Sequence, residues 1–326
     1  MKKNSREENL NKALNTLKKN NLHIQNYQRI LGGANSTCWK LQDKKNLYFL
    51  KFYKDYDFKR NRLNNEINFI ELLKNENISN VPNILYFNEL ENWSLFEWIE
   101  GNKIIKANEY QWKIYIKFIL DLQNLKISNF AKNINNASEA CFDIGSHLDL
   151  IEDRVNKALT ILSKKEIKYI DEWLKKKIIN RLQILKKKYF QNTIYSKFSS
   201  INNKIISPSD VGFHNIICIK NELFFYDFEY SGWDDPYKLF VDLVIQPEQT
   251  LNIKEAFFII HSLADGFSME ISNEVLHFYI DLYRVKWITI ILNKILYEDN
   301  LEIKDINNLF TKIKNYYNLV GEIWNI

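Results

Sequence analysis

Two kinds of apolar spacing divide this chain. Up to about position 100, apolar residues come in short runs suited to strands, at 27–31, 37–41, 47–53, 84–87 and 93–99. The turn Asp43-Lys44-Lys45-Asn46 separates the second run from the third, and Val81-Pro82 breaks the chain ahead of the fourth. Two helices are predicted among them. One covers 7–20, with Leu10, Ala13, Leu14 and Leu17 at helical spacing, and the other covers 61–74, with Leu63, Ile67, Ile70, Leu72 and Leu73. From about 107 to 190 the period is helical, with long Lys-rich runs such as 171–188. Strand-like runs return at 204–229, and after Pro236 the chain reads as mostly helical to its end. A β-rich first part and a mainly helical remainder, interrupted by one small β element, predict an α+β, bilobal chain. The boundary is expected near Gly101, giving residues 1–100 and 101–326.

A length of 326 residues fits two domains or lobes at roughly 150 residues each. With 46% hydrophobic and 26% charged residues, the chain can bury a sizeable core, which excludes wholesale disorder. A net charge of +5, spread along the chain, is little reason to expect a nucleic-acid partner; the Lys-rich 164–188 stretch has only charge behind such a reading. Cys38, Cys141 and Cys218 lie far apart, with no CxxC pair and no ligand spacing to the five histidines, so neither a disulfide framework nor a zinc site is indicated. The basic N-terminus lacks an apolar core, and no apolar run approaches a membrane span of about 18 residues. The expectation is a cytoplasmic protein with no membrane and no nucleic-acid partner, of unknown oligomeric state.

Chemistry concentrates in residues 207–229. This segment reads Ser-Pro-Ser-Asp210-Val-Gly-Phe-His-Asn215, then two short apolar runs, then Tyr226-Asp227-Phe228-Glu229. A hairpin between Asn215 and Asp227 returns the chain, so that three oxygen-bearing side chains face one site. One would meet a hydroxyl, and two would hold a divalent metal such as Mg²⁺, which prefers hard oxygen ligands shared with phosphate. An Asp and an Asn five apart are, by themselves, ordinary turn residues. Two upstream features change the balance. Gly32-Gly33-Ala34-Asn35-Ser36 lies between two predicted strands, where glycines let backbone approach phosphate oxygens. Lys51 sits inside the aromatic strand 48–53, and Glu66 follows 15 positions later on the next helix, where an ion pair could hold the Lys on phosphate. Glycine loop, strand Lys, helix Glu, Asp-x₄-Asn and a later Asp stand in the order used by kinases.

These residues, with Asp234-Asp235-Pro236 and Asp242-Leu243, resemble the aminoglycoside phosphotransferase and choline kinase-like family, small-molecule relatives of protein kinases. The similarity runs from about 27 to 247 and is most specific across 207–247. It implies a protein-kinase-like bilobal fold with a small β-rich nucleotide-binding lobe and a larger helical lobe. It further implies Asp210 as catalytic base, Asn215 and Asp227 as Mg²⁺ ligands, and Lys51 on the ATP phosphates with Glu66 as partner. Adenine would bond to backbone near Glu97 and Ile99, and Asp242 would buttress the catalytic loop. Pro208-Ser209 stands where many relatives have His-Gly before the catalytic Asp.

The expected reaction is transfer of the γ-phosphoryl group of ATP to a hydroxyl of a small metabolite, such as a sugar, an amino sugar, choline or ethanolamine. Glu229, Trp233 and Asp234 are candidate substrate contacts, with Trp233 stacking on a sugar face. The alternatives are an aminoglycoside-modifying kinase and a catalytically silent nucleotide-binding module. The histidines, His214 included, read as structural.

Overall fold

A computed structural model describes residues 2–30, 36–54, 61–128, 131–210, 212–298 and 300–326, with side chains from residue 6 onward. Packing groups the chain into two compact units. The first comprises Met1–Tyr115, Asn124–Asn135 and Pro208–Gly232, and the second Ile116–Gln123, Asn136–Ser207 and Trp233–Ile326.

The first unit is built on an antiparallel sheet of β1 (Asn26–Ile30), β2 (Ser36–Gln42), β3 (Leu47–Tyr53), β4 (Ile84–Asn88) and β5 (Trp93–Glu97), in the order β1-β2-β3-β5-β4. Alternation along the strands assigns its two faces. Trp39, Leu41, Tyr48, Leu50, Phe52, Trp93 and Leu95 form one buried cluster with Leu10, Ala13 and Leu17 of helix α1 (Lys2–Lys19). The apolar stripe read in residues 7–20 is therefore what covers the sheet. Burying each large apolar side chain contributes about 1.5–3 kcal/mol. The intervening residues of β2, β3 and β5 take the opposite direction, and Lys51 is among them, paired across the ladder with Cys38 and Ser94. Helix α2 (Arg62–Asn75) starts at Asn61, whose side chain accepts from the Asn64 N–H at 3.0 Å. It buries Leu63, Glu66, Ile67, Ile70 and Leu73 along one stripe, with Asn65 and Phe69 beside it.

A second, three-stranded sheet joins Asn102–Lys103 to the hairpin Ile216–Ile219 and Glu222–Phe225. Gly101 leads into it because nothing larger fits: a Cβ there would stand 2.4 Å from Ile217 Cγ2 and 2.8 Å from the Cys218 carbonyl oxygen. Phe213 stacks on Tyr115 at 5.4 Å and meets Trp112 edge-on at 4.8 Å, and Tyr115 also packs on Phe225. That aromatic cluster is the floor under the turn that precedes the hairpin.

The second unit is helical. Asn273–Tyr297 is buried on nearly every side and packs against Ile144–Lys164, Pro236–Ile245 and Ile303–Trp324. The Lys-rich run 171–188 contains one wide turn, a π-helix at Leu174–Ile179. Ile170, Leu174, Ile178 and Leu182 are all buried at strict four-residue intervals. An α-helix repeats every 3.6 residues, so a wider turn keeps all four on one face. No described helix is long and apolar enough to cross a membrane.

Candidate active site

Lys51 is 2% exposed, and its ammonium stands among three carboxylates: Glu66 Oε2 at 2.6 Å, Asp227 Oδ1 at 2.6 Å and Glu229 Oε2 at 3.1 Å. The Glu229 approach is an ion-pair distance without hydrogen-bond alignment. Burial works against the charge on Lys51, but Asp227 and Glu66 outweigh it and hold the ammonium well above its ordinary pKa. The Tyr53 hydroxyl donates to Glu66 Oε2 at 2.8 Å and lies 2.8 Å from Ser94 Oγ, which fixes the glutamate from a second side. Glu66 Oε1 accepts the Phe228 N–H at 3.1 Å. One glutamate thus ties strand β3 to the segment after Asp227.

Asp227 is brought here by the hairpin. Ile216 pairs with Phe225, and the Tyr226 N–H donates to the Asn215 carbonyl at 3.1 Å, so Asn215 and Asp227 flank the two ends of one ladder. Glu66, Asp227 and Glu229 place ligand oxygens within 4.8 Å of one another. Glu66 and Glu229 are 3% exposed at the side chain and Asp227 is 32% exposed, so Asp227 is the carboxylate with an open face. Burial raises its pKa, and Glu66 and Glu229 add to the rise against the opposite pull of Lys51. An open, crowded carboxylate beside a buried Asn fits a divalent cation with hard oxygen preferences. The Asn215 amide nitrogen faces the Asp210 carbonyl at 3.5 Å, which leaves its amide oxygen outside that contact.

Asp210 ends a tight turn. Its N–H donates to the Pro208 carbonyl at 2.8 Å, and Ser209 between them has φ 64°. This is the position where glycine is usual in the resembling family, and here a serine carries the left-handed backbone, at a cost of order 1 kcal/mol or more. His214 Nε2 lies 3.3 and 3.4 Å from the two Asp210 oxygens. Burial pushes the Asp210 pKa up, but His214, Asn215 and the Gly212 N–H outweigh it and hold the carboxyl below its ordinary value. A carboxylate kept ionised at the surface of a rigid turn can accept a hydroxyl proton.

Of the other residues singled out from sequence, Gly32, Gly33 and Asn35 lie outside the described residues. Ser36 opens β2, with its hydroxyl 3.4 Å from Cys38 Sγ. At the end of β5, the Glu97 N–H donates to the Asn83 carbonyl and the Trp98 N–H to the Leu47 carbonyl. The Ile99 N–H is bonded to nothing among the described residues. Glu229 spends its carboxylate on Lys51, with Arg62 Nη1 at 3.7 Å. Trp233 and Asp234 belong to the second unit. There Lys204 Nζ stands 4.7 Å over the Trp233 ring, and Asp234 is fully buried with Oδ2 on Lys238 at 2.6 Å. Asp242 pairs with Lys286 at 3.1 Å. Sequence reasoning set His214 aside as structural and passed over Tyr53. The first was visible as a residue four beyond Asp210, and the second as the next residue on the same strand face as Lys51.

A family model described as fructosamine kinase matches residues 7–114, which hold Lys51 and Glu66. No curated protein matches the sequence. Solved structures do match. A spectinomycin phosphotransferase in complex with ADP and spectinomycin superposes with a TM-score of 0.66 at 13% identity, covering 97% of this chain and 98% of its own. The fold is that of the protein-kinase-like small-molecule kinases. The choline kinase of Streptococcus pneumoniae gives a TM-score of 0.59 at 15% identity, over 95% and 99% of the two chains. The ethanolamine kinase of Plasmodium vivax gives 0.55 at 17% identity, over 90% and 82%. The family model and the structural neighbours agree on one class, small-molecule kinases, and leave the acceptor open.

Proposed function

We propose that this protein is an ATP-dependent phosphotransferase that moves the γ-phosphoryl group to a hydroxyl of a small metabolite, with Asp210 as the base. The observation that carries the reading is the meeting of Lys51, Glu66 and Asp227 in one compact unit that also holds Asp210 and Asn215. Lys51 is charged, desolvated and held in place, which suits it to phosphate oxygens. On binding nucleotide it exchanges Asp227 for phosphate while Glu66 keeps it aligned. Asn215 and Asp227 would hold Mg²⁺, which when bound neutralises charge on the phosphates. The Ile99 N–H, unbonded among the described residues, would donate to an adenine ring nitrogen. Asp210 orients the acceptor hydroxyl and takes its proton as the oxygen attacks phosphorus.

The acceptor is read as an amino alcohol, sugar or amino sugar, in keeping with the choline, ethanolamine and fructosamine kinases that this chain is similar to. ADP release with a panel of sugars, amino sugars, aminoglycosides and amino alcohols tests the reading. Transfer to one of them, lost in Asp210→Asn while nucleotide binding persists, is the expected result. Undiminished transfer by Asp210→Asn would refute the assignment of the base.

A further inference from the structure

Asn65 stands one residue before Glu66 on α2 and is 8% exposed. Its amide nitrogen faces four acceptors: the carbonyls of Phe228 (3.3 Å), Glu229 (3.3 Å) and Ser231 (3.0 Å), and the Ser231 hydroxyl (3.3 Å). Glu66, the next residue, takes the Phe228 N–H at 3.1 Å. Two consecutive positions of one helix therefore supply a donor and an acceptor to the segment that directly follows Asp227. That segment is also closed on itself, because the N–H and hydroxyl of Ser231 both donate to the Phe228 carbonyl, at 3.1 and 2.8 Å.

The segment needs holding. Asp227 has φ 68°, a left-handed backbone that costs a residue with a Cβ energy, an aspartate less than most, so neighbouring contacts help to hold it. Nothing but a donor suits the place that Asn65 fills. Three carbonyl oxygens converge there, and the Ser231 hydroxyl proton is already committed to Phe228. An alanine would take the donor away from the Glu229 and Ser231 carbonyls and leave Phe228 with Ser231 alone, and a carboxylate would set like partial charges together.

We propose that Asn65 is a positioning residue for the cation-binding carboxylate of Asp227. By pinning residues 228–231 to α2 it fixes the left-handed backbone at Asp227, and with it the direction in which the carboxylate points. Asn65 touches neither substrate nor metal, and acts through the backbone after Asp227. The inference rests on the phosphotransfer reading and deepens it.

The test is a Mn²⁺ titration followed by the paramagnetic resonance of the free ion, with ADP present and no turnover. Wild type should bind Mn²⁺ in an ADP-dependent way, and Asp227→Ala should not. Asn65→Ala should weaken that binding roughly 10- to 100-fold, the usual loss when a partner that orients a metal ligand is removed. Asn65→Ser, which keeps one short donor, should lose less, and it decides the matter if Asn65→Ala does not fold. Asn68→Ala, on the exposed side of α2, should bind as wild type does. In turnover, kcat should fall in the Asn65 variants while KM for the acceptor holds. A merely structural role would lower the melting temperature of the metal-free protein and leave the Mn²⁺ affinity of the folded variants unchanged; that result overturns the proposal. Wild type that binds no Mn²⁺ with ADP would overturn the phosphotransfer reading and this inference with it, whereas normal wild-type binding with unchanged Asn65 variants overturns the inference alone.

Discussion

Lys51→Met should destabilise the protein in a way that depends on pH. The substitution keeps the length and apolar stem of the side chain and removes only the cation. It leaves Glu66 and Glu229, both 3% exposed, and Asp227 with oxygens within 4.8 Å of one another and no counter-charge at 2.6–3.1 Å. Removing one partner of a buried ion pair costs about 3–5 kcal/mol, and here Lys51 contacts all three carboxylates, while Arg62 reaches only Glu229, at 3.7 Å. Protonation limits the penalty. Without Lys51, a carboxyl in this cluster has a folded pKa raised above its unfolded value. Its disadvantage is then absent below the unfolded pKa and grows as pH rises towards the folded one, by up to about 1.4 kcal/mol per pH unit for each group that takes a proton. Urea unfolding at about pH 8 should show the full loss of roughly 3–5 kcal/mol, and at about pH 5.5 a loss smaller by at least roughly 1 kcal/mol. Adding Glu229→Gln to Lys51→Met should recover part of the deficit at the higher pH. An equal loss at both pH values, or a loss under about 1 kcal/mol at the higher one, would refute the reasoning that Lys51 is what makes this carboxylate cluster tolerable.

Asp210→Asn should reduce phosphoryl transfer about 10²- to 10⁴-fold without lowering the ADP-dependent rise in melting temperature, checked by coupled ADP release and thermal shift. Ser209→Gly should stabilise the fold by about 0.5–1 kcal/mol, because a left-handed serine gives way to a residue that adopts φ 64° freely and the gain exceeds the entropy glycine adds to the unfolded chain; urea midpoints measure it, and a destabilised variant would contradict the account of the turn. Asp235 caps the helix Pro236–Ile245 through the Lys238 N–H at 3.0 Å and accepts from the Ser200 and Tyr279 hydroxyls. Burial pushes its pKa up, but the His147 imidazole at 3.7 Å, the Ser200 hydroxyl and the Lys238 N–H hold it below its ordinary value. The stability it contributes is therefore present above the unfolded carboxylate pKa of about 3.9 and lost as pH falls through the lower folded one. Asp235→Ala should cost about 2–4 kcal/mol near neutrality, from the lost cap and two stranded hydroxyls, and should abolish that acid-limb dependence in urea melts.

How much of this was legible in the sequence varied with the range of the interaction. Residues 47–53 read as a strand and are one, because alternation is a local property. The direction of Lys51 follows from the same alternation, since Tyr48, Leu50 and Phe52 on the other face go to α1. The order of Lys51, Glu66, Asp210, Asn215 and Asp227 was readable as well. The carboxylate pairings were not. Asp234, which reads as an open acidic side chain, is buried because Lys238 one helical turn later can reach it, and Glu229 is drawn to Lys51 across 178 positions of sequence. Nothing in the sequence singles out Asn65, because its partners lie on a segment more than 160 positions away. The residue type of Ser209 does not announce its left-handed backbone; the sign was the glycine that many members of the resembling family carry at that position.

The first unit draws on three separate stretches of chain, and this has a consequence for how the protein is made. During synthesis the sheet strands and α2 emerge early, with Lys51 already destined for burial. Asp227 and Glu229 follow only after the 72 residues of Asn136–Ser207, which belong to the other unit, have been added. At roughly 5–20 residues per second that is a wait of several seconds or more. Through that interval Glu66, from the same early stretch, is the one of the three carboxylates on Lys51 that is present to neutralise it. The short β3-to-α2 ion pair is then a nascent-chain safeguard as well as a part of the finished site, and removing it should cost more in yield from the ribosome than in the stability of the completed molecule.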